Sequence, residues 1–188
     1  MFAVPWQPQG IYAKKQLDTV QDMKGLFWRA YNPSTTRIAE IVGAYPVTVQ
    51  AADLPRALAT GLINAFMTSS ATGYDSKAWE VMTYFYDAKA WIPKNITFVN
   101  KAAFDQLDKP TQDAILKAAA AAEERGWNMS QEKNRWYVEQ LASHGLKVVA
   151  PSDALARGLK QVGEQLTAEW LRRAGDDGWA LIEAYRKM

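Results

Sequence analysis

Residues 27–67 alternate short β-rich runs with helical runs, and this alternation constrains the fold more than any other feature of the chain. Phe27 to Tyr31 reads as extended, Pro33 to Val42 as helical, Val47 to Val49 as extended, Asp53 to Thr60 as helical and Leu62 to Met67 as extended. Strand–helix–strand succession at this spacing implies βαβ units and a mostly parallel sheet, the α/β class. The breaks have local causes. Asn32 suits an N-cap, Pro33 the first helical position, and Gly43 and Gly61 the left-handed residues that end the two helices.

Downstream, periodicity leaves helix or strand open from Ala71 to Ala90, across Trp79, Tyr84, Phe85 and Tyr86. Asn95 to Asn100 reads as a strand. Asp108 and Pro110 then open a run that reaches Ser143 with no breaker except Gly126, and His144-Gly145 closes it: one unusually long helix. Ile115, Ala119, Ala122, Met129 and Trp136 fall on one side of it, and Leu116, Ala120, Trp127, Tyr137 and Leu141 on another, so this helix should touch two bodies. Lys147 to Ala150 forms a last strand. Ser152 caps a helix to about Arg173, and Gly175 to Gly178 turns into a closing helix.

Composition narrows the function. The 188 residues carry 22 basic and 20 acidic side chains, interspersed for a net charge of +2, which offers no face to nucleic acid. No stretch has the ~18 consecutive apolar residues of a membrane span, and the opening Met1-Phe2-Ala3-Val4-Pro5-Trp6 lacks the features of a signal peptide. With no cysteine there are no disulfides, thiolate metal sites or cysteine nucleophiles. Eight Trp in a chain whose hydrophobic content is 48% suit both a core and a pocket for an organic ligand.

Signatures of catalysis are missing: no phosphate-binding glycine loop, no H-E-x-x-H, no G-x-S-x-G. The single histidine, His144, sits where a helix should end, a place that favours a cation without invoking chemistry. The pairs Glu123-Glu124 and Asp176-Asp177 read as solvated. We therefore expect no enzyme, no cofactor and no metal.

Binding chemistry is better represented. Arg29 lies near the end of the first strand, three residues before the helix start at Asn32-Pro33-Ser34-Thr35-Thr36. A guanidinium beside free N–H groups and hydroxyls suits a carboxylate held by two parallel hydrogen bonds; a structural ion pair is the alternative. Thr68-Ser69-Ser70 follows the next strand in the same way, with turn capping as its alternative role. Trp91 and Asn95 bracket Ile92-Pro93-Lys94, placed to wall and orient a ligand, though Trp91 equally suits a core.

These segments resemble the substrate-binding subunit of tripartite ATP-independent periplasmic (TRAP) transporters, the DctP-type family. The resemblance is carried by Asp22-Met23-Lys24-Gly25-Leu26 leading to Trp28-Arg29-Ala30-Tyr31-Asn32-Pro33, by Ala57-Leu58-Ala59-Thr60-Gly61-Leu62-Ile63-Asn64 and by Gly73-Tyr74-Asp75-Ser76-Lys77-Ala78-Trp79-Glu80. Pro93-Lys94-Asn95 with Val99-Asn100-Lys101, and Gly145-Leu146-Lys147-Val148-Val149 after the long helix, extend it over essentially the whole chain. It implies a periplasmic binding protein-like α/β fold: two lobes around a cleft that closes on the ligand, crossing strands, and a long helix spanning both lobes. On that reading residues 1–90, mainly 10–90, form the second lobe, and residues 91–188 hold the crossing strands, the spanning helix and a remnant of the first lobe.

By the same resemblance Arg29 pairs with the ligand carboxylate, Thr68 and its neighbours supply a polar contact where the family commonly has Asn, and Gln9 matches a further contact of some members. The expected ligand-binding set is thus Arg29, Asn32, Thr68, Ser69, Trp91, Gln9 and Asn95. The implied function is capture of a small organic carboxylate (a dicarboxylate, keto acid or aromatic acid) in the periplasm and its delivery to membrane-spanning TRAP subunits. An oligomeric scaffold without a small-molecule ligand is the alternative. Family members are longer, so the resemblance places Met1 just before the crossing into the second lobe and implies that the opening part of the first is absent. Trp127, Tyr137, Leu141, Leu166 and Trp170 should then lack cover, and the chain should self-associate.

Overall fold

Asn32 decides how the first strand hands over to a helix. Its side-chain oxygen accepts the Thr35 amide at 2.8 Å, and its own amide donates to Thr35 Oγ1 at 3.1 Å, a reciprocal cap with Pro33 at the first helical position. Asn32→Ala is expected to cost about 1 kcal/mol in chemical denaturation. The computed structural model, which describes residues 1–187, contains two compact units, each assembled from separate stretches of chain. The first is Met1–Tyr12 with Met67–Val149; the second is Ala13–Phe66 with the chain from Ala150 onward. Each unit draws on chain from both sides of residue 90.

In the second unit, strand β3 (Phe27–Ala30) lies between β4 (Tyr45–Thr48) and the start of β5 (Ala65–Ser69), parallel to both. Helices α1 (Pro33–Ile41) and α2 (Leu54–Ala59) make the two crossovers, each closed by a glycine with positive φ, Gly43 and Gly61. Trp28, Ile38, Ala39, Leu54, Leu58 and Ile63 fill the core. Helix α6 (Asp153–Arg186) is capped by Ser152 and kinked at Gly175, whose φ is 63°. It is tied to α1 by Arg37, which donates to both carboxylate oxygens of Glu169 at 2.8–3.2 Å and to Glu40 at 2.9 Å. Those hydrogen bonds hold the Glu169 carboxyl down to about 2. Because a depressed carboxyl stabilises only while ionised, this contribution is present above the ordinary value of 4.5 and fades as pH falls through about 2. Arg37→Gln should return the Glu169 midpoint toward 4.5, read by NMR titration.

In the first unit, β2 (Gln9–Ala13) lies between the end of β5 and β6 (Tyr84–Tyr86), and β8 (Lys147–Val149) pairs parallel with β6. A separate two-stranded sheet joins β1 (Phe2–Pro5) antiparallel to β7 (Lys94–Thr97), with Val4 opposite Asn95. The 35-residue helix α5 (Lys109–Ser143) lies over β1. Glu123 Oε1 accepts Ala3 N at 3.0 Å, and Trp127 Nε1 donates to Ala3 O at 3.0 Å. Gly126 marks the closest approach: a Cβ there would stand 2.5 Å from Val4 Cγ2. Glu123 is therefore a tether to β1, not a solvated charge. Helix α3 (Ser70–Asp75) packs against α5, with Ser70 Oγ donating to Asn134 Oδ1; the short helix α4 (Lys101–Asp105) follows β7.

Several expectations shift. The strand read at Val47–Val49 occupies Tyr45–Thr48, because Val49 is the residue where the ladder ends and its carbonyl turns to Arg29. The strand read at Leu62–Met67 begins at Ala65: Leu62 N still closes α2 on Ala57 O, and Asn64 Oδ1 caps the Phe27 amide. Residues 71–90, open by periodicity, divide into α3, a 3-10 turn at Ala78–Glu80 and β6. Among the described residues of α5, Ala119 and Leu141 are buried, whereas Trp127, Met129 and Trp136 remain partly in solvent. Leu141, expected to be uncovered, is fully covered.

Candidate functional site

Arg29 is the penultimate residue of β3, flanked by Val47 and Phe66 on the neighbouring strands, and is 3% exposed. Its Nε donates to Val49 O at 2.9 Å, and its guanidinium carbon stands 4.7 Å from the centre of the Tyr31 ring. Among the described residues no carboxylate lies within 4.0 Å of it. Burial lowers the Arg29 pKa from its ordinary value and raises that of Tyr31. With Nε engaged, the two terminal nitrogens keep the geometry of an end-on carboxylate fork.

Asn32 is exposed on the same unit, its side-chain oxygen spent on the cap. The same unit has an open cavity of about 540 Å³ lined by Ser34, Arg37, Glu40, Glu169, Trp170 and Arg173. Arg37 there is already neutralised by two glutamates, so it does not share the character of Arg29.

The first unit brings together most of the other expected residues. Gln9 is buried at the start of β2, donates from Nε2 to Gln7 O at 2.9 Å, and exchanges backbone hydrogen bonds with Ala90 and Trp91. Trp91 is half-buried. Ser69 ends β5 and caps α3, accepting the Thr72 amide. Two residues that sequence reasoning left out join it: Trp6 Nε1 donates to Ser69 Oγ at 2.9 Å, and Tyr12 OH donates to Ser69 O at 3.1 Å. The signal for Trp6 was its place between two prolines beside Gln9. Burial, with Asp87 nearby, pushes the Tyr12 phenol well above its ordinary value, so it stays a neutral donor. Thr68 is 4% exposed and its hydroxyl has no partner among the described residues. Asn95 stands apart on β7, exposed. His144 is the C-cap of α5, its Nδ1 donating to Gln140 O at 2.8 Å with its ring 4.2 Å from that of Trp79, a structural arrangement.

The solved structure of DctP6, a Bordetella pertussis extracytoplasmic solute receptor binding pyroglutamic acid, is 55% identical over 100% of this chain and 62% of its own, with a TM-score of 0.97. DctP7 of the same organism, also binding pyroglutamic acid, is 43% identical over 98% of this chain and 62% of its own, TM-score 0.95. A marine metagenome TRAP solute-binding protein specific for pyroglutamate is 39% identical over 100% of this chain and 62% of its own, TM-score 0.96. Among curated relatives, a solute-binding protein of Albidiferax ferrireducens is 24% identical over 85% of this chain. The chain spans about half the length of the curated relatives it matches. The fold is thus the α/β fold of TRAP periplasmic binding proteins, and these neighbours are transport receptors, not enzymes. The model of bacterial extracellular solute-binding protein, family 7, matches residues 9–173, and the chain belongs to that family.

Proposed function

We propose that this chain is the ligand-capturing part of an extracytoplasmic TRAP receptor, that its ligand is a small organic carboxylate, and that Arg29 holds the carboxylate. One observation carries the reading: a buried guanidinium oriented by Val49 O and Tyr31, with no acidic partner among the described residues. An unpaired buried cation is costly, and a fold that retains one has a use for an incoming anion. Delivery to membrane-spanning TRAP subunits in the periplasm is part of the same proposal, supported by the family match and by a TRAP solute-binding protein among the similar structures. Thr68, Gln9, Trp91, Asn32 and Asn95 remain the proposed polar and aromatic contacts.

The ligands of the solved neighbours set the panel. Pyroglutamate stands first, since three neighbours of 39–55% identity bind it; succinate, bound by a more distant structure, is the open-chain comparison. Calorimetry on the full chain should give a saturable one-to-one isotherm for pyroglutamate, and no binding of either acid would overturn the reading. We further propose that the isolated 188 residues self-associate, because Ile92, Ile96, Phe98 and Val99 along and beside β7 stand in solvent, Phe98 at 83%. Light scattering at micromolar concentration should show dimers or larger species; a monodisperse monomer would rule this out.

A further inference from the structure

The three consecutive hydroxyls of Thr68-Ser69-Ser70 have three different fates. Ser70 Oγ is committed to Asn134 Oδ1 at 2.9 Å. Ser69 Oγ donates to Thr72 Oγ1 at 3.1 Å and accepts from Thr72 N at 3.1 Å and from Trp6 Nε1 at 2.9 Å. A serine hydroxyl has one proton to give and two lone pairs to fill, so Ser69 is saturated, and at 0% exposure it is out of reach. Of the three, Thr68 keeps a hydroxyl with no partner among the described residues.

Trp6 is held at both ends. Its amide donates to Pro93 O at 2.7 Å, which continues the β1–β7 ladder, and its indole N–H is fixed on a residue 63 positions away. Yet its surface is 37% exposed. An exposed tryptophan ordinarily swings about two torsions and gives its N–H to water; this one presents a rigid apolar face at no further ordering cost. A flat face of that kind matches a small planar ring or conjugated acid.

We propose that Trp6 is a ligand-facing, specificity-determining residue, and that Ser69 is a positioning residue that aims the Trp6 indole and does not touch the ligand. The proposal rests on the receptor reading above and adds to the expected site a residue that reading did not contain.

A double-mutant cycle on the full chain with pyroglutamate as probe separates the roles. Trp6→Ala should weaken binding about 100-fold, and Ser69→Ala or Trp6→Phe about 10-fold each, the worth of one aligning hydrogen bond. The double variant Trp6→Phe, Ser69→Ala should be no weaker than either single variant, because Ser69 acts only through the indole N–H. The ¹⁵N-labelled indole resonance of Trp6, assigned by its loss in Trp6→Phe, should shift on adding pyroglutamate. Losses that multiply would show that Ser69 meets the ligand itself and overturn the positioning role. Unchanged affinity in Trp6→Phe and Trp6→Ala, with Arg29→Lys still weakened, would remove Trp6 while leaving the receptor reading standing. Wild-type protein that binds neither pyroglutamate nor succinate would overturn both. Trp6→Phe, at a partly exposed position, keeps the test decisive if Ser69→Ala does not fold.

Discussion

Arg29→Ala is expected to weaken pyroglutamate binding by about 100-fold or more while leaving the protein as stable as before. Truncating one partner of a buried charge pair costs about 2–5 kcal/mol of affinity, because the bound carboxylate is left desolvated and unpaired. Stability should not fall, as it would if Arg29 served in a structural ion pair. The guanidinium is desolvated with no carboxylate within 4.0 Å among the described residues, so removing it relieves a burial penalty that offsets the loss of the donor to the Val49 carbonyl. Arg29→Lys keeps the charge but loses the fork and should cost about 1–3 kcal/mol of binding. Calorimetry paired with thermal unfolding reads both effects. Affinity unchanged in Arg29→Ala would place the carboxylate elsewhere, and a melting temperature lowered by more than about 10 °C would make Arg29 structural.

The parts of this fold that were legible in the sequence are those decided by neighbours along the chain. The Asn32-Pro33 start of α1, the positive-φ glycines at 43 and 61, the Ser152 cap and the Gly175 kink all appear where the residue types place them. What the chain pattern hides depends on partners far away. Strand β1 is a four-residue segment whose identity comes from Ile96 and Asn95 opposite it, more than 90 positions on. The start of β5 is set by Asn64 reaching Phe27, not by the apolar character of Leu62 and Ile63. Gly126, which reads as a flaw in a long helix, is there because Val4 comes too close for any side chain.

The candidate site divides along the same line. Arg29 is legible because its strand position and the helix start after it are local, but whether it was paired required the fold, since any of 20 acidic residues could have reached it. Ser69 is also legible as a residue at a strand end. Its saturation is not, because two of the three groups that occupy its hydroxyl belong to Thr72, but the third comes from Trp6 across 63 residues. A hydroxyl in a loop looks available in sequence, and counting its hydrogen bonds in three dimensions is what reassigns it.

The largest stability effect should come from Gly73, a position where helix propensity and packing give opposite signs. In an open helical site Gly→Ala stabilises by up to about 1 kcal/mol. At residue 73 of α3, however, a Cβ would stand 2.0 Å from Tyr12 Oη and 2.3 Å from Cζ, far inside contact. The ring cannot retreat: it is fully buried, packed against Phe85 at 4.6 Å between centroids, and anchored through its hydroxyl to Ser69 O. Either the ring leaves its rotamer and gives up that hydrogen bond, or α3 lifts from the sheet. Gly73→Ala should therefore destabilise by about 3 kcal/mol or more in urea, with the slope unchanged. Because the displaced phenol releases the strand end at Ser69, ligand affinity should fall with it. Gly163→Ala in α6, where nothing lies within 4 Å of the added carbon, is the matched control and should instead gain up to about 1 kcal/mol. If both substitutions stabilise alike, the contact between Tyr12 and α3 does not exist in solution, and the anchoring of Ser69 by Tyr12 falls with it.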